Sequence, residues 1–381
     1  MVTNSNDIYK LGLELILSDK MLKLMERILS LLEQYRSDPA YAKECIYIYP
    51  HSRADGDAYG SSFALQRVFT SIGIKSKVIL SEAIYSPFDR YISSLNEADY
   101  YVYEDEWRKV VEEETEDKQA LAILIDCNDL SRIGDRAKLI PERIRLLVID
   151  HHVETQDVDK ENSHSYYHKY INSSAAAICQ DLACLFFALE KEIEKEIIDK
   201  DTATLLYAGM LTDSNRFTYS QVTDDTLLIA AMLKARGVDQ ERLCRDLFET
   251  KSFAQIRAES IIINNLMSFY DSKINISYIT LRDMIENEIF EEDLVFAPSF
   301  IREIEGCRLS IFLRETEKGN IRGNVRSILP YSARNLALIY GGGGHICASG
   351  FSIMNKTLDD SLEDIIEMAI SEVKRQELEI E

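Results

Sequence analysis

Three apolar runs in this chain each stop abruptly on carboxylates and imidazoles, and that punctuation restricts the fold more than any other feature. Leu146-Leu147-Val148-Ile149 ends in Asp150-His151-His152, and Cys45-Ile46-Tyr47-Ile48-Tyr49-Pro50 ends in His51-Ser52-Arg53-Ala54-Asp55-Gly56-Asp57. Leu121-Ala122-Ile123-Leu124-Ile125 ends in Asp126. Short apolar runs without alternation read as strands buried on both faces, the pattern of a parallel sheet covered by helices. In open sheets of that kind, ligands bind beyond the carboxyl ends of the strands. Four of the six histidines, His51, His151, His152 and His345, stand in such contexts.

Around these runs the spacing is helical. Met21, Leu24, Met25, Ile28, Leu31 and Leu32 recur at three- and four-residue intervals, which predicts an amphipathic helix from Lys20 to Arg36. Ser61 to Thr70 reads as a helix closed by Gly73, and Lys77 to Leu80 as the next strand, completing a βαβ unit. Helices are expected over Ser173 to Leu189 and Asp201 to Leu211, with Ser173 or Ser174 and Asp199 or Asp201 as N-caps. They continue through Val222 to Phe248. The periodicity loosens between Thr250 and Gln255, and strand-like runs follow at Ile274 to Leu281, Arg308 to Leu313 and Ile321 to Ile328. The expected fold is α/β. Residues 1–250 form a mainly parallel sheet flanked by helices, and 253–381 form a smaller mixed α+β domain, with the active site in the cleft between them. Residues 1–19 are an added segment, either a helix or a partner contact such as a homodimer interface.

The chain has 381 residues and a formal charge of -22, enough length for two cores. So acidic a surface argues against tracking long duplex nucleic acid, which draws on Lys and Arg along the backbone path. A small anionic ligand held through metal ions remains compatible. Seven cysteines with no CxxC pair read as reduced thiols. No run approaches the length of a membrane span, and no secretory leader is evident, so a cytoplasmic protein without membrane contact is expected. The acidic run from Glu112 to Asp117 reads as a solvated face.

The chemistry lies in the punctuation. His51-x3-Asp55-x-Asp57 in a tight loop can aim an imidazole and a carboxylate at one ion and the second carboxylate at a neighbour. Asp55-Gly56 also reads as a plain turn with Asp57 capping the next helix. Asp126, Asp150-His151-His152 and Asp213 in Thr212-Asp213-Ser214 add further ligands. Together they form the inventory of a dinuclear, oxygen-rich site suited to Mn²⁺ or Mg²⁺, with Co²⁺ also compatible. Cys127 and Cys347 lie beside these motifs and read as small packing residues. In the second domain, Gly341-Gly342-Gly343-Gly344-His345 implies positive φ or close backbone approach to a ligand. The two-residue period places Arg322, Asn324 and Arg326 on one strand face, a candidate phosphate clamp.

These stretches, with Asp126-Cys127-Asn128-Asp129-Leu130-Ser131-Arg132 and Thr212-Asp213-Ser214-Asn215-Arg216-Phe217, resemble the DHH phosphoesterases, and within them the oligoribonuclease and phosphoadenosine-phosphate phosphatase group. The likeness runs from about Ile28 to the C-terminus. It implies two Mn²⁺ ions, one on His51, Asp55 and Asp126 and the other on Asp57, Asp126, His151 and Asp213, with Asp126 shared. It implies that His152 meets the scissile phosphate and that Arg326, with Ser327 beside it, and His345 hold substrate. The strand face and glycine loop add Arg322, Gly342, Gly343 and Gly344 as expected substrate contacts, and Asp150 is expected to orient the pair that follows it. The activity it implies is hydrolysis of short RNA to 5′-mononucleotides and of 3′-phosphoadenosine 5′-phosphate to AMP. A cyclic or linear di-adenosine phosphodiesterase would use the same residues, and a non-catalytic nucleotide-binding protein would have lost a ligand. Ala54 stands where the family commonly has Pro, Tyr59 where Ile or Leu is usual, and Ser214-Asn215 where Thr-Gly is frequent. None of these is a ligand position.

Overall fold

The structure is a computed structural model that describes residues 18–380 apart from 40, 84–87, 89–90, 92–99, 104–108, 110–111, 114–118, 153–163, 317–318 and 345. The expectation for residues 1–17 therefore lies outside the described residues, as do His345 and most of the acidic run. The chain divides into two units, Met1–Glu249 and Thr250–Glu381.

In the first unit, β1 (Cys45–Pro50), β2 (Ser76–Leu80), β3 (Tyr100–Val102), β4 (Gln119–Ile125), β5 (Leu146–Asp150) and β6 (Tyr166–Ile171) form one sheet in the order β3-β2-β1-β4-β5-β6. Every pair is parallel. The three punctuated runs are the neighbouring strands β1, β4 and β5. Strand order reverses between β1 and β4, and that switch point opens a crevice beyond their carboxyl ends.

The two-residue period explains why these runs are apolar throughout. Ile46, Ile48, Ile123, Ile125, Leu147 and Ile149 enter one core, while Tyr47, Tyr49, Ala122, Leu124, Leu146 and Val148 enter the other. The first core is closed by α1 (Asp19–Ser37), α2 (Gly56–Ile72), α3 (Ile178–Ile193), α4 (Lys200–Asp213) and α5 (Asp224–Ala235), with the short α6 (Gln240–Cys244) beside them. Ser18 caps α1 by accepting from the Met21 amide, and Gly73 ends α2 in the left-handed region.

Helices α2 and α4 approach through glycine. A Cβ on Gly60 would lie 2.5 Å from the Leu205 carbonyl oxygen, which is backbone and cannot rotate away. Gly60→Ala is therefore expected to destabilise the chain by about 1–3 kcal/mol through overpacking. Urea unfolding should read this as a lower midpoint at unchanged slope.

Helix α3 departs from expectation. It starts at Ile178, later than Ser173 or Ser174, and its preceding residue Ala177 makes no side-chain cap. The cap comes from another helix. The Asp57 carboxylate accepts from the Ile178 and Cys179 amides at 2.6 and 3.0 Å. Ser174 instead donates to the Asn172 side chain. Helix α4 has Asp199 as its N-cap, accepting from the Thr202 amide.

The second unit begins with a capping box. Ser252 and Gln255 reciprocate hydrogen bonds at the start of α7 (Phe253–Asn264), where the periodicity had loosened. Strands β7 (Met267–Phe269), β8 (Ile274–Ile279), β9 (Leu309–Glu315), β10 (Ile321–Ser327), β11 (Gly343–Gly344) and β12 (Ala348–Ile353) form a mixed sheet in the order β11-β12-β10-β9-β8-β7. Only β8 and β9 pair in parallel. One face packs α10 (Ala333–Ile339) and α11 (Leu358–Ile380), and the other packs α7, α8 (Leu281–Asn287) and α9 (Ala297–Arg302). No helix among the described residues is long and apolar enough to cross a membrane.

Candidate metal centre

The carboxyl ends of β1, β4 and β5 bring the polar clusters together. Three groups of possible ligands form there: His51, Asp55 and Asp126; Asp57, His151 and Asp213; and Asp126, His151 and His152. His51 Nε2 lies 3.6 Å from Asp126 Oδ2 and 3.7 Å from Asp55 Oδ2. His151 Nε2 lies 3.3 Å from Asp126 Oδ1, 3.4 Å from Asp213 Oδ2 and 3.7 Å from Asp57 Oδ2. Asp126 thus faces both imidazoles, one with each oxygen.

The donor set fits a divalent cation. Asp126 Oδ1 is buried and accepts no well-aligned hydrogen bond, and an orphaned buried carboxylate oxygen is costly. Among the described residues, the ion pairs of Asp55, Asp57, Asp126, Asp150 and Asp213 are all with histidine, none with Lys or Arg. Both facing imidazoles engage Nδ1 with backbone carbonyls, His51 with Ser52 at 3.0 Å and His151 with Ala175 at 3.3 Å. A carbonyl only accepts, so each Nδ1 carries the proton and the neutral ring offers its Nε2 lone pair to an ion.

Without a cation the same geometry holds protons. Burial lowers the His51 pKa, but the neighbouring Asp126 and Asp55 carboxylates outweigh it and raise the pKa to about 10. His151 is raised to about 11, burial again being overcome by Asp126, Asp57 and Asp213. Asp57 is pushed well up by burial and by the charges of Asp126 and Asp213. Asp213 rises to about 6, chiefly through burial.

Asp126 has a left-handed backbone, φ 57°, immediately beyond β4, a strained conformation for a non-glycine residue. Its amide donates to the Ile149 carbonyl, which ties the strained residue to β5. Asn215, Arg216 and Phe217, just after Asp213, also have positive φ. Gly56 is required at the start of α2, because a Cβ there would stand 2.2 Å from Thr212 Oγ1.

Asp150 is fully buried and saturated. Its Oδ1 accepts from the His151 amide, the His152 amide and His152 Nδ1 at 2.8, 3.2 and 2.8 Å, and its Oδ2 accepts from Asn128 at 2.7 Å. It belongs to none of the three groups of possible ligands. Burial raises its pKa, but the His152 hydrogen bond prevails and the net shift is downward. The same bond raises the His152 pKa. Because Nδ1 serves Asp150, His152 has only Nε2 left for a ligand. Cys127 is buried and donates to the Ile125 and Tyr49 carbonyls.

The predicted residues of the second unit are only partly grouped. On β10, Arg322, Asn324 and Arg326 alternate with buried Ile321, Gly323, Val325 and Ser327. Ser327 needs correcting as a substrate contact. It is 2% exposed, donates to the Tyr331 carbonyl at 2.7 Å and accepts from the Ala333 amide at 3.0 Å, so it fastens a turn. The Gly342 amide is also spent within the fold, on the Ala337 carbonyl, and a Cβ at that position would lie 2.2 Å from the Gly350 carbonyl oxygen. Gly343 and Gly344 pair with Gly350 and Ser349 as β11. Arg322 lies at the opposite end of β10 from Arg326.

Sequence reasoning missed Arg136. It is 1% exposed and donates to the carbonyls of Ile133, Ile79 and Pro50 at 3.0, 2.5 and 2.8 Å and to Ser52 Oγ at 3.4 Å. It thereby joins the carboxyl ends of β1 and β2 to the loop that carries His51. Burial lowers its pKa to about 10, so it stays charged at neutral pH. Asp135-Arg136-Ala137-Lys138 reads as a surface stretch, which hides this role. Arg136→Met is expected to weaken Mn²⁺ binding by about 10–100-fold, as loss of an orienting partner does, measured by titrating free Mn²⁺ with electron paramagnetic resonance.

Comparisons with known proteins agree with this geometry. Residues 45–210 match the DHH family, N-terminal domain, and residues 272–375 match the DHHA1 domain. The chain is similar to the "bifunctional oligoribonuclease and PAP phosphatase NrnA" of Thermus thermophilus, at 28% identity over 87% of this chain and 90% of that one. It is also similar to the Bacillus subtilis protein of the same name, at 28% identity over 81% of this chain and 90% of that one. Its fold resembles that of an exopolyphosphatase-related protein from Bacteroides fragilis, with a TM-score of 0.77 at 21% identity, covering 91% of this chain and 97% of the other. Strand-end carboxylates and imidazoles in the first unit and a mixed sheet in the second accompany these matches, and the chain carries a DHH family N-terminal domain and a DHHA1 domain.

Proposed function

We propose that the chain hydrolyses short RNA oligonucleotides to 5′-mononucleotides and 3′-phosphoadenosine 5′-phosphate to AMP, as a phosphoesterase dependent on two divalent ions, Mn²⁺ in preference to Mg²⁺ or Co²⁺. The observation that carries this reading is the convergence of His51, Asp55, Asp57, Asp126, His151 and Asp213 around one doubly facing carboxylate that, among the described residues, pairs with no Lys or Arg. The names borne by the similar proteins point to the same substrates. A cytoplasmic setting fits such substrates and the free cysteines.

Divalent ions held by these residues would supply Lewis-acid activation of water and neutralise charge on the phosphoryl oxygens. The chain's own residues prepare that chemistry. The Ser52 and Ala175 carbonyls fix the tautomers of His51 and His151 and so aim Nε2. The N-terminal amides of α3 clamp the Asp57 carboxylate. Asp150 holds the Nδ1 proton of His152, and the raised pKa of that ring favours a second proton at Nε2, available to a phosphate oxygen. In the second unit, Arg326, Gly343, Gly344 and His345 are the proposed substrate contacts.

The test is a side-by-side assay of the purified chain with Mn²⁺. RNA dimers to pentamers, phosphoadenosine phosphate, cyclic di-adenosine monophosphate and pyrophosphate would be compared. Turnover of the dimers and phosphoadenosine phosphate above the other two is expected. Turnover of the cyclic dinucleotide alone would overturn the substrate assignment.

A further inference from the structure

A cavity of about 670 Å³ opens in the second unit at the end of β10 away from Arg326. Helix α8 and the turn after it give it Met284, Ile285 and Phe290, β10 gives it Arg322, and the residue after β12, Met354, also lines it. Its volume lies in the range of small-ligand sites. Ile285, Phe290 and Met354 are 69%, 62% and 62% exposed, so three large apolar side chains converge on solvent. Nothing in the catalytic geometry uses them.

The polar lining is mixed, with Arg322 as its one cation. Three glutamates border the cavity; Glu288 is exposed at its rim, and the other two have partners. Glu291 pairs with Arg314 at 3.1 Å, and Glu315 accepts from the Leu281 amide at 3.0 Å. Arg322 is half-buried and, among the described residues, has no carboxylate within 4.0 Å. A cation without a counterion beside an apolar slot with a ring and two thioethers suits a flat heteroaromatic carrying an anion. Arg322 and Arg326 share one face of β10, four residues apart, a separation of about 13 Å at strand rise. That is longer than one nucleotide step.

We propose that this cavity is a subsite for one further nucleotide unit of a bound oligonucleotide, with its phosphate on Arg322 and its base against Met284, Phe290 and Met354. The inference rests on the proposed function for the identity of the strand. It assigns the cavity a role in distinguishing trinucleotides from dinucleotides.

The test compares wild type with Phe290→Ala and Met354→Ala, whose exposed side chains can be cut back without opening a core, on the RNA dimer ApA and trimer ApApA. The expected result is a loss of kcat/KM for the trimer of about fivefold or more, the size of a lost stacking contact, with the dimer unchanged. Arg322→Gln should weaken the trimer similarly. Equal effects on both substrates, or on neither, would overturn the subsite. Binding of both RNAs to the metal-free chain is measured in parallel, so a chain that hydrolyses nothing fails the proposed function yet still decides the cavity. If free AMP protects Phe290 while trimer binding ignores all three substitutions, the cavity takes a free ligand and the proposal falls.

Discussion

Asp126→Asn is expected to lower hydrolysis of every substrate by at least about 10³-fold, equivalent to about 4 kcal/mol of barrier, while the chain stays folded. The reason is its position. One oxygen faces His51 and the other faces His151, so loss of this one charge weakens both ligand sets. Asn is the informative replacement because it tolerates the left-handed backbone at φ 57°. Asp150→Asn makes the contrast. That carboxylate orients His152 and belongs to none of the groups of possible ligands, so a loss of only about 10–100-fold is expected. Rates at saturating Mn²⁺, with thermal melts of each variant, check both. Equal losses for the two variants would mean that Asp126 has no shared role.

Saturation with Mn²⁺ is the second large effect. Ion at about a thousand times its dissociation constant contributes about 4 kcal/mol, which for a unit of this size raises Tm by about 10 °C. The shift should depend on pH in a definite direction. In the metal-free chain, His51 and His151 have pKa values raised from 6.5 to about 10 and about 11. Their attraction to the neighbouring carboxylates therefore contributes stability that is complete below pH 6.5 and lost as pH rises through those values. An ion must displace these protons, so binding releases them and the Mn²⁺-dependent gain in Tm should grow from pH 6 to pH 8. Differential scanning calorimetry with Mn²⁺ or a chelator at the two pH values measures it. A gain that shrinks over this range would contradict the ligand assignment.

The legible parts of this fold were those set by local pattern. β1, β4 and β5 are buried on both faces, so their sequences are apolar throughout and their ends are sharp. β6 gives no such signal. Tyr166-Tyr167-His168-Lys169-Tyr170-Ile171 is an edge strand with mostly half-buried residues, two of its side chains under cations. The start of α3 was obscured because its cap, Asp57, lies 121 residues earlier in the chain. The candidate ligands could be collected from four separate places by residue type. Arg136 could not, because its acceptors are backbone carbonyls that carry no sequence signature. Ser327 was misread for a related reason: its neighbour Arg326 marks a candidate clamp, but the strand period turns Ser327 into the core.

The most direct test of the central claim is anomalous diffraction from crystals grown with Mn²⁺. Two peaks are predicted, one among His51, Asp55 and Asp126 and one among Asp57, Asp126, His151 and Asp213, with Asp126 contacting both. A single peak that leaves Asp126 unbridged, or ions bound away from the ends of β1, β4 and β5, would contradict the account.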